Sequence, residues 1–214
     1  MRYDLVIFDN DGVLVDSEPI SNRLLAAYLT ELGHPTSYED SIRDYMGSAM
    51  HRIHDLVQKR TGERLPAEFD DTFHRRVFAA FEEELEPVAG AVDVVAKLAA
   101  GGVPYCVASS GSHERIRVGH RATGLDRWFE DARVFSSQDV GKGKPAPDLF
   151  LYAAERMGVA AERCVVVEDS PLGVQAAVAG GMDVYGFTAM TPASRLEGAT
   201  QLFSSMGELA DLLI

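Results

Sequence analysis

Two aspartates one residue apart, Asp9 and Asp11, follow the apolar run Asp4-Leu5-Val6-Ile7-Phe8 and precede Gly12-Val13. Such a run predicts a buried strand. Carboxylates at the carboxyl end of a buried parallel strand stand where open α/β sheets hold their ligands. A pair so placed can bind a hard cation, or divide nucleophilic and acid/base work between its members. The spacing also suits a plain hydrophilic turn, since Asp-Gly pairs form turns readily. Other strand ends decide between the two.

Three further segments put chemically capable side chains at such ends. After the strand-like run 103–108 come Ser109-Ser110-Gly111-Ser112 and then a helical pattern. A hydroxyl and backbone N–H groups at a helix N-terminus suit a phosphate-sized anion, while Ser112 is placed to cap the helix. Next, Lys144-Pro145-Ala146-Pro147-Asp148 leads into a helix through residue 157. The proline fixes Lys144 in extended backbone, where its ammonium can meet a carboxylate or a phosphate. Finally Cys164-Val165-Val166-Val167 runs into Glu168-Asp169-Ser170-Pro171, with Ser170 as N-cap and Pro171 in the first helical turn. Adjacent carboxylates on a buried strand end are unfavourable unless a positive charge compensates them. The arrangement asks for a cation, and an all-oxygen donor set beside a phosphate points to Mg²⁺ rather than zinc.

The elements that must hold these residues follow from the apolar pattern. Strand-like runs fall at 4–8, 103–108, 164–167 and 183–187, with weaker ones at 133–135 and 201–203. Helical patterns alternate with most of them. This predicts an α/β fold, a Rossmann-like parallel sheet core flanked by helices. The rhythm breaks between 9 and 103, where helical patterns occur at 17–33, 48–60 and 67–84 with no convincing strand. The expectation is an inserted all-helical cap domain over 16–87, with the core formed by 1–15 and 88–214. Phe69, Phe73, Val77, Phe78 and Phe81 are the expected apolar stripe of its last helix.

The 214 residues are 46% apolar and carry a net charge of −13, shared almost evenly between residues 17–86 and the rest. No basic footprint is available for a nucleic-acid backbone. No stretch reads as a signal peptide or membrane span, and Cys106 and Cys164 lie in buried runs without metal-ligand spacing. A cytoplasmic protein with reduced cysteines, acting on a small molecule and monomeric rather than oligomeric, is the expectation. Histidines 34, 54, 74, 113 and 120 are expected at the surface.

The four segments, DNDGV at 9–13, the strand ending in Ser109, KPAPD at 144–148 and EDSPLG at 168–173, occur in the order found in haloacid dehalogenase-like hydrolases. The chain resembles the subgroup whose helical cap follows the first motif, and the likeness covers essentially its whole length. The resemblance implies that Asp9 is a nucleophile that becomes a phospho-aspartate and that Asp11 is the general acid/base. It implies that Ser109, with the N–H groups of Ser110 and Gly111, binds the phosphoryl oxygens and that Lys144 offsets charge. Asp9, Asp169 and the Asp11 backbone carbonyl would hold Mg²⁺, with Glu168 a ligand through water or an outer partner.

Asp11 favours phosphate chemistry over dehalogenation. A phosphonatase would need a cap lysine, and Lys59 is the only lysine in 17–86. A mutase resembling β-phosphoglucomutase would carry a histidine where Ser21 stands, and an arginine where Met46-Gly47-Ser48-Ala49-Met50 offers methionine. Hydrolysis of a small phosphomonoester, similar to that of 6-phosphogluconate and related sugar phosphates, is the reading. Gly47, Ser48, His51 and Arg52 are the candidates for selecting the leaving group. A non-catalytic phosphometabolite-binding protein is the alternative of a different class, although the intact set Asp9, Asp11, Lys144 and Asp169 argues against it.

Overall fold

The computed structural model describes residues 2–46, 48 and 50–213. Two compact units result, one of residues 1–16 and 86–214, the other of residues 17–85. The larger unit is built on six parallel strands: β1 (Leu5–Phe8), β2 (Tyr105–Ser109), β3 (Val134–Ser136), β4 (Cys164–Glu168), β5 (Asp183–Phe187) and β6 (Gln201–Phe203). Their order is β3-β2-β1-β4-β5-β6. The sheet is therefore the parallel α/β architecture that alternating strand and helix patterns predict.

β1 lies between β2 and β4, pairing Ile7 with Cys106 on one side and with Val166 on the other. Chain order runs outward from β1 in both directions, so the carboxyl ends of β1, β2 and β4 flank a topological switch point. Every residue of these three strands is buried. That accounts for their continuous apolar runs in place of alternation. Leu5, Ile7, Cys106, Leu149, Phe150, Val166 and Val174 share one core cluster. Leu149 and Phe150 come from α7 (Asp148–Arg156), and Val174 from α8 (Pro171–Ala179). Both cysteines are free and buried.

The smaller unit contains α1 (Glu18–Glu31), α2 (Tyr38–Tyr45), α3 (Met50–Thr61) and α4 (Phe69–Glu84). Phe69 is fully buried and stacks between Tyr28 of α1, at 5.0 Å, and Phe73, at 6.2 Å. Phe78 departs from the expected stripe: it is half-buried and stacks on His74. The short α2 has no counterpart among the predicted helices. It is started by a reciprocal capping box, Ser37 with Asp40, rather than by an apolar stripe. Asp16, Glu86 and Pro87 belong to the larger unit instead of the helical insert. Val15 bridges Pro87, and the Asp16 N–H donates to the Glu86 carbonyl at 3.0 Å. Among the described residues, no helix is long and apolar enough to cross a membrane.

Phe69→Ala empties a fully buried site in contact with Tyr28 and Phe73, and the expected cost is about 3–5 kcal/mol. Denaturant unfolding should show an earlier midpoint for the helical unit; an unchanged midpoint would mean that the stack contributes nothing.

Candidate active site

Asp9 directly follows β1, and its N–H continues the ladder by donating to the Val167 carbonyl at 2.9 Å. Its carboxylate faces the end of β4. Lys144 Nζ donates to Asp9 Oδ1 at 2.6 Å and to Glu168 Oε1 at 3.1 Å. All three side chains are at most a tenth exposed. Glu168 is further fixed by the Ser170 hydroxyl, which donates to Oε1 at 2.9 Å, and by the Asp169 N–H, which donates to Oε2 at 3.2 Å.

Two glycines make this packing possible. A Cβ on Gly173, in the first turn of α8, would fall 1.7 Å from Glu168 Oε1. A Cβ on Gly12, which has φ +79°, would fall 2.2 Å from Asp169 Oδ2. The acidic groups thus occupy space that any larger residue would fill.

Burial, reinforced by the Glu168 charge and opposed by Lys144, raises the Asp9 carboxyl to about 7. For Lys144, burial works against the ammonium, but Asp9 and Glu168 outweigh it and hold the group above its ordinary value. Asp9 and Glu168 thus share one ammonium, and the pair carries more negative charge than Lys144 balances. Asp9, Glu168 and Asp169 are buried and each offers a ligand oxygen, all within 4.8 Å of one another. A compact, oxygen-only, charge-deficient site fits a hard divalent cation such as Mg²⁺.

The Asp11 carboxylate is not a member of that cluster; the contribution expected of Asp11 to a metal is its backbone carbonyl. The carboxylate turns toward α6 (His113–Thr123), where Arg115 Nε and Nη2 donate to Oδ1 at 3.0 and 2.6 Å. Ser109, at the end of β2, is buried with its hydroxyl 3.5 Å from Asp11 Oδ2. The Gly111 N–H donates to Ser109 Oγ at 3.0 Å, so an anion binding there must share or displace that bond. Hydroxyls of Ser136 and Ser137 hold the Gly111 and Ser110 carbonyls at 2.6 and 2.9 Å, which braces the loop from the carboxyl end of β3. Ser110 is exposed, and Ser112 caps α6 as expected.

The structure corrects the placement of His120. It is 2% exposed rather than at the surface, with Nε2 2.9 Å from Asn10 Oδ1. Asn10 Nδ2 in turn reaches Asp11 Oδ2 at 3.3 Å. Burial lowers His120 to about 4, against the pull of Asp11 and Asp126. Neither Arg115 nor His120 was legible as part of a site. An arginine three residues after an N-cap and a histidine in a polar helix carry no pattern of their own. In the smaller unit, His51 and Arg52 are exposed in the first turn of α3, and Ser48 is half-buried with its N–H on the Tyr45 carbonyl. Gly47 lies outside the described residues.

The family model for haloacid dehalogenase-like hydrolases matches residues 3–181. The chain is 32% identical to the 6-phosphogluconate phosphatase of Escherichia coli over 189 residues, covering 88% of this chain and 84% of that one. It is 35% identical to the E. coli fructose-1-phosphate phosphatase over 186 residues, covering 85% and 95%. A hydrolase of the same family from Deinococcus radiodurans, solved with bound phosphate and sodium, superposes with a TM-score of 0.80 at 31% identity, covering 99% and 95%.

His120 takes a proton in the unfolded chain near 6.5 but in the fold only near 4. Between these values the unfolded chain binds more protons, so stability falls as pH drops from about 6.5 toward 4, by about 3 kcal/mol in all. Urea midpoints should show that slope flattened in His120→Gln. An equal loss in the variant would exclude His120 as its origin.

Proposed function

The chain belongs to the haloacid dehalogenase-like hydrolases, and we propose that it hydrolyses a small sugar phosphate or related phosphomonoester through a phospho-aspartate on Asp9. The observation that carries this reading is the Asp9 carboxylate, buried at a strand end and held by Lys144 at 2.6 Å, with Asp11 and Ser109 beside it. A carboxylate fixed in this way is a positioned nucleophile.

In the first step Asp9 attacks phosphorus, the bond from phosphorus to the leaving oxygen breaks, and Asp11 gives that oxygen a proton. Ser109 Oγ and the N–H groups of Ser110 and Gly111 bind the transferring phosphoryl oxygens, while Lys144 offsets their charge. In the second step Asp11, now a carboxylate, takes a proton from water as the water attacks the phosphorus of phospho-Asp9. Inorganic phosphate leaves and both aspartates return to their starting states. Asp9, Asp169 and the Asp11 carbonyl, with Glu168 alongside, would hold Mg²⁺, whose charge eases the approach of a phosphate dianion to a carboxylate.

Two relatives named for phosphorylated sugars support the sugar-phosphate class. Ser21 and the methionines of 46–50, standing where a mutase would carry histidine and arginine, favour transfer to water. The inserted helical unit is assigned the role of a cap that selects the organic part, through Gly47, Ser48, His51 and Arg52.

Phosphate release should be measured with Mg²⁺ across 6-phosphogluconate, fructose 1-phosphate, hexitol phosphates and phosphoglycolate. At least one is expected to be turned over, and Asp9→Asn should lower kcat by roughly 10³-fold or more. Retained turnover in Asp9→Asn, or no release from any of these, would refute the proposal. Arg52→Ala should raise KM for the preferred substrate; unchanged KM across all accepted substrates removes Arg52 from the candidates.

A further inference from the structure

Asp9 and Asp11 lie in one short loop, yet their carboxylates have different cationic partners. Lys144 holds Asp9, whereas Arg115 holds Asp11 through two donors that both converge on Oδ1. Both members of the Arg115–Asp11 pair are largely buried, with side chains 15% and 17% exposed. Arg115 packs closely over Gly111: a Cβ there would lie 3.1 Å from Arg115 Cδ, 3.3 Å from Ser109 Oγ and 3.6 Å from Asp11 Oδ2. The glycine leaves room for the arginine stem, the serine hydroxyl and the carboxylate to meet at one point.

The two oxygens of Asp11 are thereby distinguished. A guanidinium has only donors, so an oxygen facing Nε and Nη2 cannot also carry a proton without placing hydrogen against hydrogen. Oδ2 faces Ser109 Oγ at 3.5 Å and Asn10 Nδ2 at 3.3 Å. Ser109 is the residue assigned to the phosphoryl group, so Oδ2 is the oxygen on the reacting side. The Asn10 contact is itself steadied by buried His120.

On the premise of the phosphatase reading, we propose that Arg115 is a positioning residue for the acid/base step. It pins Oδ1 and presents Oδ2 to the leaving oxygen and later to water. It acts through Asp11 rather than by binding substrate. A small displacement of an acid/base group costs on the order of 10²-fold in rate, which sets the size of the expected effect.

The test is leaving-group dependence. An alkyl phosphate such as a sugar phosphate needs its departing oxygen protonated, whereas p-nitrophenolate departs with little help. In Arg115→Ala, kcat/KM for a sugar phosphate should fall roughly 10²-fold while that for p-nitrophenyl phosphate falls only a few-fold. Arg115→Lys keeps the cation and the stem but loses the two-donor fork; it should show the same split at smaller size and guards against loss of folding. In an Asp11→Asn background, Arg115→Ala should have almost no further effect on kcat/KM for the sugar phosphate.

Equal losses on both substrates, losses that add to those of Asp11→Asn, or full recovery in Arg115→Lys would overturn the assignment while leaving the phosphatase reading intact. Failure of the unaltered protein to release phosphate from either compound would instead overturn the phosphatase reading, and this assignment with it.

Discussion

Three carboxylates, from Asp9, Glu168 and Asp169, are buried together at the carboxyl edge of a parallel sheet, and the first two share the Lys144 ammonium. Water would solvate such charges far better than a protein interior does, and the uncompensated cost is several kcal/mol for each ion. The backbone and its neighbours bring these groups together. β1 and β4 are hydrogen-bonded neighbours with Phe8 beside Val167, so Asp9 and Glu168 emerge side by side and Asp169 follows directly. Gly12 and Gly173 leave room for the carboxylates, and Ser170 fixes one of them while also capping α8. The excess of negative charge on Asp9 and Glu168 over Lys144 is the property on which the proposed cation site and the proposed chemistry rest.

Around this centre the loop 9–15 separates two kinds of carboxylate. The Asn10 carbonyl accepts from the N–H groups of Leu14 and Val15 at 2.9 and 3.1 Å, which closes a tight turn. Across that turn Asp9 faces β4 and Lys144, whereas Asp11 faces α6 and Arg115. On the proposed reading, Asp9 reacts and shares a cation, whereas Asp11 handles protons. Two chemically identical side chains acquire different roles through the partners that the fold brings to each.

Much of this was legible beforehand because it is written in runs. β1, β2 and β4 appear as apolar stretches since burial on both faces removes alternation, and the acids at the ends of β1 and β4 stand out against that background. What was missed depends on contacts distant in sequence or on local polar chemistry. Arg115 reaches Asp11 across 104 positions, and nothing in its helix marks it. His120 reads as polar surface until the fold places Asn10 and Phe129 against it. α2 forms from the Ser37–Asp40 capping box without an apolar stripe, so periodicity passes over it. The edges of the insert shift by one or two residues because the Val15–Pro87 bridge belongs to no regular strand.

Thermal unfolding with and without Mg²⁺, in the unaltered chain and in Asp169→Asn, tests the charge imbalance most directly. The unaltered chain should gain about 1–2 kcal/mol at tenfold excess of Mg²⁺ over its Kd. Asp169→Asn should be at least as stable as the unaltered chain without metal, because a repelling charge has gone, yet should respond little to Mg²⁺. A chain indifferent to Mg²⁺, or a variant that is less stable without metal yet keeps the full response, would show that these carboxylates do not form a cation site in want of charge.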